Sequence, residues 1–303
     1  MRIILAGGSG FLGRALADHL ARAGHAVTIL SRGAGRAGTT GGAVTVRAWA
    51  PDGLAGAWAD VVDGTDVVVN LAGESIGDGR WTPDRKEALL SSRVLATRSL
   101  VAAMAAASRP PRALVSASAQ GYYGDRGDEE LTEASAPGHD FLAGVCVAWE
   151  AEARKAEALA RVVLIRTGIV LARDAGALPK MLLPFRLFGG GPIGSGRQWL
   201  PWIHRDDAAA AYVAAVHDDR YRGPINLVTD SVRNRDFSRA LGAALHRPSW
   251  LPVPGLAVTA AVGELAEYLL HGRRVVPARL RELGFAWKRP VLAGALEAAL
   301  AER

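Results

Sequence analysis

Cysteine is nearly absent. The chain has one, Cys146, in 303 residues. This excludes an intramolecular disulfide and a cysteine-rich structural metal site, and it fits a reducing compartment. Long apolar runs are missing as well. The opening MRIILAGG is too short for a signal peptide and lacks a small-residue cleavage site. The most apolar later window, GLAVTAAVGELAEYLLHG, is interrupted by Glu264 and Glu267 and falls short of a bilayer span. No repeat, low-complexity tract, serine elbow of the hydrolase type or histidine/carboxylate cluster with metal-ligand spacing occurs in the sequence. The expectation is a soluble, cytoplasmic protein with no membrane partner and no metal.

Concentrated positive charge is also lacking. The net charge is +6, but the positive residues are almost all arginine and are dispersed. The densest groups, HGRRVVPARLR and RNRDFSR, are broken by apolar residues or by Asp236. Nucleic-acid binding requires clustering rather than net charge. A pocket for an anionic ligand is expected, and no nucleic-acid partner.

What is present is an alternation of short apolar runs and long helical patterns. The runs at 2–6, 26–30, 66–72, 112–118 and 162–168 are mostly apolar rather than alternating, as expected of strands buried on both faces. Between them, a helix opens at Phe11 and stops at Gly24. A second follows Thr82-Pro83, where threonine caps and proline suits the first turn. A third follows Asp140. This order predicts an α/β fold, a doubly wound parallel sheet, over residues 1–168, completed by about 205–228. Residues 169–204 and 229–303 would form a smaller lobe. There, 185–204 reads as a pocket-lining loop, Asp206 or Asp207 as the cap of the helix that follows, and the segment from Arg233 onward as two or three helices lying over the carboxyl ends of the strands.

ILAGGSGFLG joins the first strand to the first helix, with Gly7, Gly10 and Gly13 at every third position. Glycines there let the backbone turn tightly and approach a pyrophosphate seated on the helix N-terminus. A glycine triplet means little alone, but at a first strand–helix junction it predicts an NAD(P)-binding Rossmann fold. The second strand ends in Ser31 and Arg32, with Arg36 close behind, where an NAD site carries an acid. A hydroxyl and a guanidinium suit a 2′-phosphate instead. NADP is the expected cofactor.

Together, GGSGFLG, VVVNLAGE, SASAQGYYG and WIHRDD resemble the extended short-chain dehydrogenase/reductase superfamily, which includes the nucleotide-sugar epimerases. LAGESI, SASAQGYYG, DFLAGVC and GSGRQWLPWIH look like an atypical epimerase-family subgroup of that superfamily, whose members end in a C-terminal domain of unknown function. The resemblance covers nearly the whole chain. It implies that Gly7, Gly8, Ser9, Gly10, Phe11, Leu12 and Gly13, with Ser31 and Arg32, hold the adenosine end. Leu71, Ala72 and Gly73 would pass along the cofactor, with Glu74 and Arg80 either lining it or forming a surface ion pair. Ser116 and Ser118 would stand beside the nicotinamide, Ser118 as the superfamily's catalytic serine.

In active members the next helix carries Tyr-x-x-x-Lys. Here CVAWE places Cys146 at the tyrosine position and Glu150 at the lysine position. A carboxylate beside a proton donor raises the donor's pKa, the reverse of what lysine does. Three readings stay open. In the first, Glu150 accepts from the ribose hydroxyls while Cys146, Tyr122 or Tyr123 handles the proton. In the second, the pair is structural: Cys146 fills the core, Glu150 pairs with Arg154, and the protein binds NADP without turnover. In the third, hydride moves and the proton comes from water or substrate. Gln198, Trp199, Trp202 and His204 are candidate substrate contacts, although both tryptophans and the histidine also read as structural. Epimerases often have an arginine four residues before that histidine, where this chain has Leu200, which weakens a nucleotide-sugar substrate. The expected partner is a small-molecule substrate, with a homodimer left open.

Overall fold

The structure, a computed structural model, describes residues 1–33 and 43–302; Arg36 lies outside them. Strands β1 (Arg2–Ala6), β2 (Ala26–Ser31), β3 (Val44–Ala48), β4 (Val67–Asn70) and β5 (Ala113–Ala119) are followed by β6 (Glu130–Leu131), β7 (Arg161–Thr167), β8 (Ile169–Leu171), β9 (Trp199–His204), β10 (Gly223–Leu227), β11 (Asp230–Arg233) and β12 (Arg274–Val275). The helices are α1 (Phe11–Arg22), α2 (Pro83–Ala106), α3 (Phe141–Arg154), α4 (Leu178–Arg186), α5 (Arg205–His217), α6 (Asn234–Ala244), α7 (Gly255–Val262), α8 (Leu265–Leu270), α9 (Ala278–Glu282) and α10 (Leu292–Ala301).

Seven strands form one parallel sheet in the order β10-β7-β5-β4-β1-β2-β3. Successive side chains of a strand face opposite sides, and β1 shows the consequence. Ile3 and Leu5 join the core under α1 and α5, with Leu16, Leu20 and Tyr212, while Ile4 and Ala6 join the core under α2, with Leu100 and Met104. A strand apolar on both faces therefore needs a helical layer on each side, as the mostly apolar runs require. The strand order reverses between β1 and β4, where a crevice opens at their carboxyl ends.

Helix starts follow local chemistry. The Arg85 N–H donates to the Thr82 hydroxyl (3.2 Å) with Pro83 in the first turn, and the Ala143 N–H donates to the Asp140 carboxylate (2.8 Å). The cap of α5 differs from expectation. It is His204, whose Nδ1 accepts from the Asp206 N–H (3.2 Å). Asp207 is buried and accepts from the Lys288 and Arg289 N–H groups (2.7 and 3.0 Å), pinning the C-terminal segment.

Three further corrections concern the second lobe and the sheet edge. Residues Trp199–His204 are a strand rather than loop, paired parallel to β8 and antiparallel to β11. Beyond Arg233 the described residues form five helices, not two or three. The edge strand β3, half polar, went unforeseen. The last segment does reach the carboxyl end of β5: β12 pairs with β6, and Tyr268 of α8 bonds Gln120.

Candidate functional site

At the crevice, Gly7 adopts φ +78°, and a Cβ there would lie 2.7 Å from the Leu71 carbonyl carbon. A Cβ on Gly13 would lie 2.3 Å from the Gly7 oxygen. The loop thus exists in this form only with glycine at both positions. It closes through the Gly10 N–H on the Gly7 carbonyl (3.0 Å), and the first helical bond is from the Arg14 N–H to the Gly10 carbonyl (2.9 Å). No side chain caps α1 and no acid lies in its first turn. The first-turn N–H groups near exposed Ser9 and Gly10 are therefore free for an anion, whose charge the helix dipole favours. Phe11 and Leu12 are half-buried and begin the helix, while Gly8 is buried against Ile29. The cradle fits a dinucleotide pyrophosphate.

Ser31 ends β2, half-buried, and the Arg32 side chain is exposed with Nη1 3.7 Å from Glu74 Oε1. Glu74 also pairs with Arg85. Arg80 is elsewhere, bonded to the Ala260 carbonyl of α7, so the expected Glu74–Arg80 pair does not form. Leu71, Ala72 and Gly73 line the far side of the crevice. The Ala72 N–H donates to the Asn70 side chain (3.1 Å), and buried Asn70 also donates to Thr97 (2.9 Å) and Ser116 (3.3 Å). Ser116 is fully buried in that knot. Arg93 of α2 packs along Gly73 and donates to the Glu74 carbonyl (2.8 Å).

Beneath the expected catalytic positions is a buried charge network. Arg166 Nε and Nη2 grip both Glu150 oxygens (2.8 and 2.9 Å), with the two side chains 2% and 4% exposed. The Ser118 hydroxyl donates to the same carboxylate (2.7 Å). Arg166 Nη1 reaches the Tyr123 hydroxyl (3.0 Å), which donates to Asn226 (2.6 Å), and the guanidinium stacks 3.4 Å from the Tyr122 ring centre. Burial opposes the Arg166 charge, but the bonds to Glu150 and Tyr123 more than offset it and hold its pKa above the ordinary value.

This network bears on the earlier readings of Glu150. It does not pair with Arg154, which pairs with Glu157 (3.1 Å); it is buried, and both its oxygens already accept from Arg166. Cys146 is buried, with its thiol on the Ala119 carbonyl (3.7 Å). Burial, and then the Glu150 charge, push its pKa up to about 12. Burial also holds Tyr123 up to about 12. Both therefore keep their protons near neutrality, and Tyr122 is stacked under the Arg166 guanidinium.

The other candidates make contacts within the chain. Gln198 donates to the Ile193 and Leu269 carbonyls (3.0 and 3.2 Å). Trp199 donates to Asp128 (2.8 Å) between Arg233 and Arg274. Trp202 is core, and His204 caps α5. Tertiary folding also brings His204, Asp206 and Glu302 within 4.8 Å, a proximity that sequence spacing did not reveal. Arg205 already holds that glutamate (2.6 Å). A cavity of about 730 Å³ lies between the N-terminus of α3 and α8, lined by Trp81, Asp140, Phe141, Tyr268, His271 and Arg273.

Sequence reasoning missed Asn70, Arg93 and Arg166. Arg166 left a trace: a lone charge inside the apolar run VVLIRTG must have a partner, because an unpaired buried charge is prohibitively costly.

Similarity to known proteins agrees with this geometry. The NAD dependent epimerase/dehydratase family model matches residues 3–227, and a domain of unknown function, DUF1731, matches 253–299. The chain is 40% identical over 305 residues to the chloroplastic SDR39U1 homolog of Arabidopsis thaliana, covering 98% of this chain and 86% of that one. It is 39% identical to the epimerase family protein YfhF of Bacillus subtilis, covering 100% and 99%. The crystal structure of human epimerase family protein SDR39U1 (isoform 2) with NADPH superposes at TM-score 0.90, with 36% identity and all of both chains covered. The chain belongs to the NAD dependent epimerase/dehydratase family, within the extended short-chain dehydrogenase/reductases, and carries the C-terminal DUF1731 domain.

Proposed function

We propose that this chain binds NADP and acts as an oxidoreductase on a small polar substrate, with no proton relay at positions 146 and 150. The carrying observation is the clamp of Arg166 and Ser118 on Glu150. It removes the lysine-like role and turns the Ser118 proton away from any substrate oxygen. The cofactor reading rests on the glycine cradle, on the open α1 N-terminus, on Arg32 at the end of β2, and on NADPH in the related human protein. When bound, the nicotinamide supplies or accepts hydride. The chain's own residues position it: the cradle holds the pyrophosphate, Arg32 exchanges its long contact with Glu74 for the 2′-phosphate, and Ser118 accepts from a substrate hydroxyl through its remaining lone pair. The proton then comes from solvent or substrate. Cytoplasmic residence belongs to the same reading, since a lone buried thiol fits a reducing compartment.

The test is substrate-blind. Protein loaded with NADPH deuterated at the transferable C4 position is given dialysed cell extract and metabolite pools, and deuterium is followed by mass spectrometry. Label should enter a metabolite, disappear with Arg32→Ala and persist with Cys146→Ala. Loss of labelling in Cys146→Ala would overturn the mechanism. A second reading, an NADP-binding regulator without turnover, is favoured by Ser118 donating its one proton to Glu150. Its signature is tight NADPH binding with neither label transfer nor isomerised product in the same pools.

A further inference from the structure

Among the described residues only two non-glycine positions hold positive φ, Phe188 (61°) and His246 (52°). Each stands just past a helix, α4 and α6, where glycine is the usual stop because a side chain there is strained. For a ring as large as Phe188 this is a genuine outlier. The ring is not used inside the protein: Phe188 is 57% exposed.

It is one of a group. Leu183 (59%) and Leu187 (72%), beside it in the chain, and Trp250 (67%) and Leu251 (47%), packed on Gly189–Gly191, are also exposed. The backbone joins them, since the Trp250 and Leu251 N–H groups both point at the Gly190 carbonyl (3.2 and 3.3 Å). The Arg247 guanidinium lies 4.5 Å from the Phe188 ring centre. Neither Arg247 nor exposed Arg186 forms an ion pair with a described residue, while Lys180 is held by Asp78. Residues 175–205 and 237–263, which build this face, contain no aspartate or glutamate.

We propose that this face seats the protein peripherally on an anionic lipid surface. Leucine, phenylalanine and tryptophan tips would enter the headgroup boundary, and Arg186 and Arg247 would pair with lipid phosphates. Charge decides the occupant. Two unpaired guanidiniums among apolar tips, with no carboxylate in either segment, match a uniformly negative apolar-cored surface. No spanning helix is needed. The proposal is independent of the cofactor reading, because none of these residues lines the glycine crevice.

The test is co-sedimentation of the full chain with vesicles of phosphatidylcholine alone and of phosphatidylcholine mixed with phosphatidylglycerol, at low and high salt. Binding to the mixed vesicles, weakened by salt, is expected. Arg186→Gln with Arg247→Gln should weaken it about 25-fold, taking roughly fivefold per charge. Phe188→Ser with Trp250→Ser should weaken it about tenfold or more. Unchanged NADPH affinity and circular dichroism show that each variant is folded; should Phe188→Ser fail there, Trp250→Ser alone carries the apolar arm. No binding to either vesicle overturns the proposal, as does charge-only binding indifferent to Phe188 and Trp250. Concentration-dependent self-association by light scattering, abolished by the same serine variants, would overturn it in favour of a second copy of the chain.

Discussion

Replacing Arg166 with methionine tests whether the buried clamp is correctly described. The perturbation removes the guanidinium and keeps most of the side-chain volume. Glu150, 4% exposed, is left with one bond, from Ser118 (2.7 Å). Breaking a buried pair in this way costs about 3–5 kcal/mol. Set against the 5–15 kcal/mol by which domains are generally stable, the variant would sit near the edge of folding. The double variant Arg166→Met/Glu150→Leu removes both charges together. It still loses the Arg166 bonds to Tyr123 (3.0 Å) and to the Glu133 carbonyl (3.3 Å), about 1 kcal/mol each. It should therefore recover about 1–3 kcal/mol relative to Arg166→Met. Urea unfolding of the parent, both single variants and the double variant gives the coupling directly. An Arg166→Met cost below about 1 kcal/mol, or a double variant no better than the sum of its parts, would refute the reasoning.

Other outcomes follow from the crevice and the buried thiol. Arg32→Ala should weaken NADPH binding by about 10–100-fold, the loss of a charge-assisted bond, and leave NADH binding unchanged; fluorescence titration with both cofactors checks this. Gly13→Ala places a methyl 2.3 Å from the Gly7 oxygen and should abolish NADPH binding while lowering stability by about 1–3 kcal/mol in a denaturant titration. Iodoacetamide should alkylate Cys146 only as fast as the chain opens, so labelling should accelerate in parallel with urea unfolding. The folded thiol keeps its proton up to about 12, whereas the unfolded one releases it near 9.0. Between those values the unfolded chain holds fewer protons, so stability falls as pH rises, by up to about 1.4 kcal/mol per pH unit. Cys146→Ala should flatten that slope, leaving the part due to the tyrosines that burial also holds up, Tyr123, Tyr212, Tyr221 and Tyr268.

Much was legible before folding, because it is set by neighbours in the chain. A glycine triplet at a strand–helix junction forces a close backbone approach, Thr82 and Asp140 cap the helices they precede, and mostly apolar runs demand burial on two faces. The sequence by itself therefore determined the parallel sheet and the glycine loop at its crevice. The second lobe was harder to read. WLPWIH lacks the alternation of a half-exposed strand because β9 is buried almost throughout, and the short helices α7, α8 and α9 give too few turns for a period to show.

What became of Cys146 and Glu150 was decided by tertiary structure alone. A helix guarantees that residues four apart share a face, but not what that face meets. The register of β5 on β7 sets Ser118 opposite Arg166, and α3 lays Glu150 across both. Without that register, Arg154 was the nearest cation one turn along the helix. With it, a guanidinium sixteen residues away in sequence is closer, and in a dry interior the partner that satisfies both carboxylate oxygens is the one that holds.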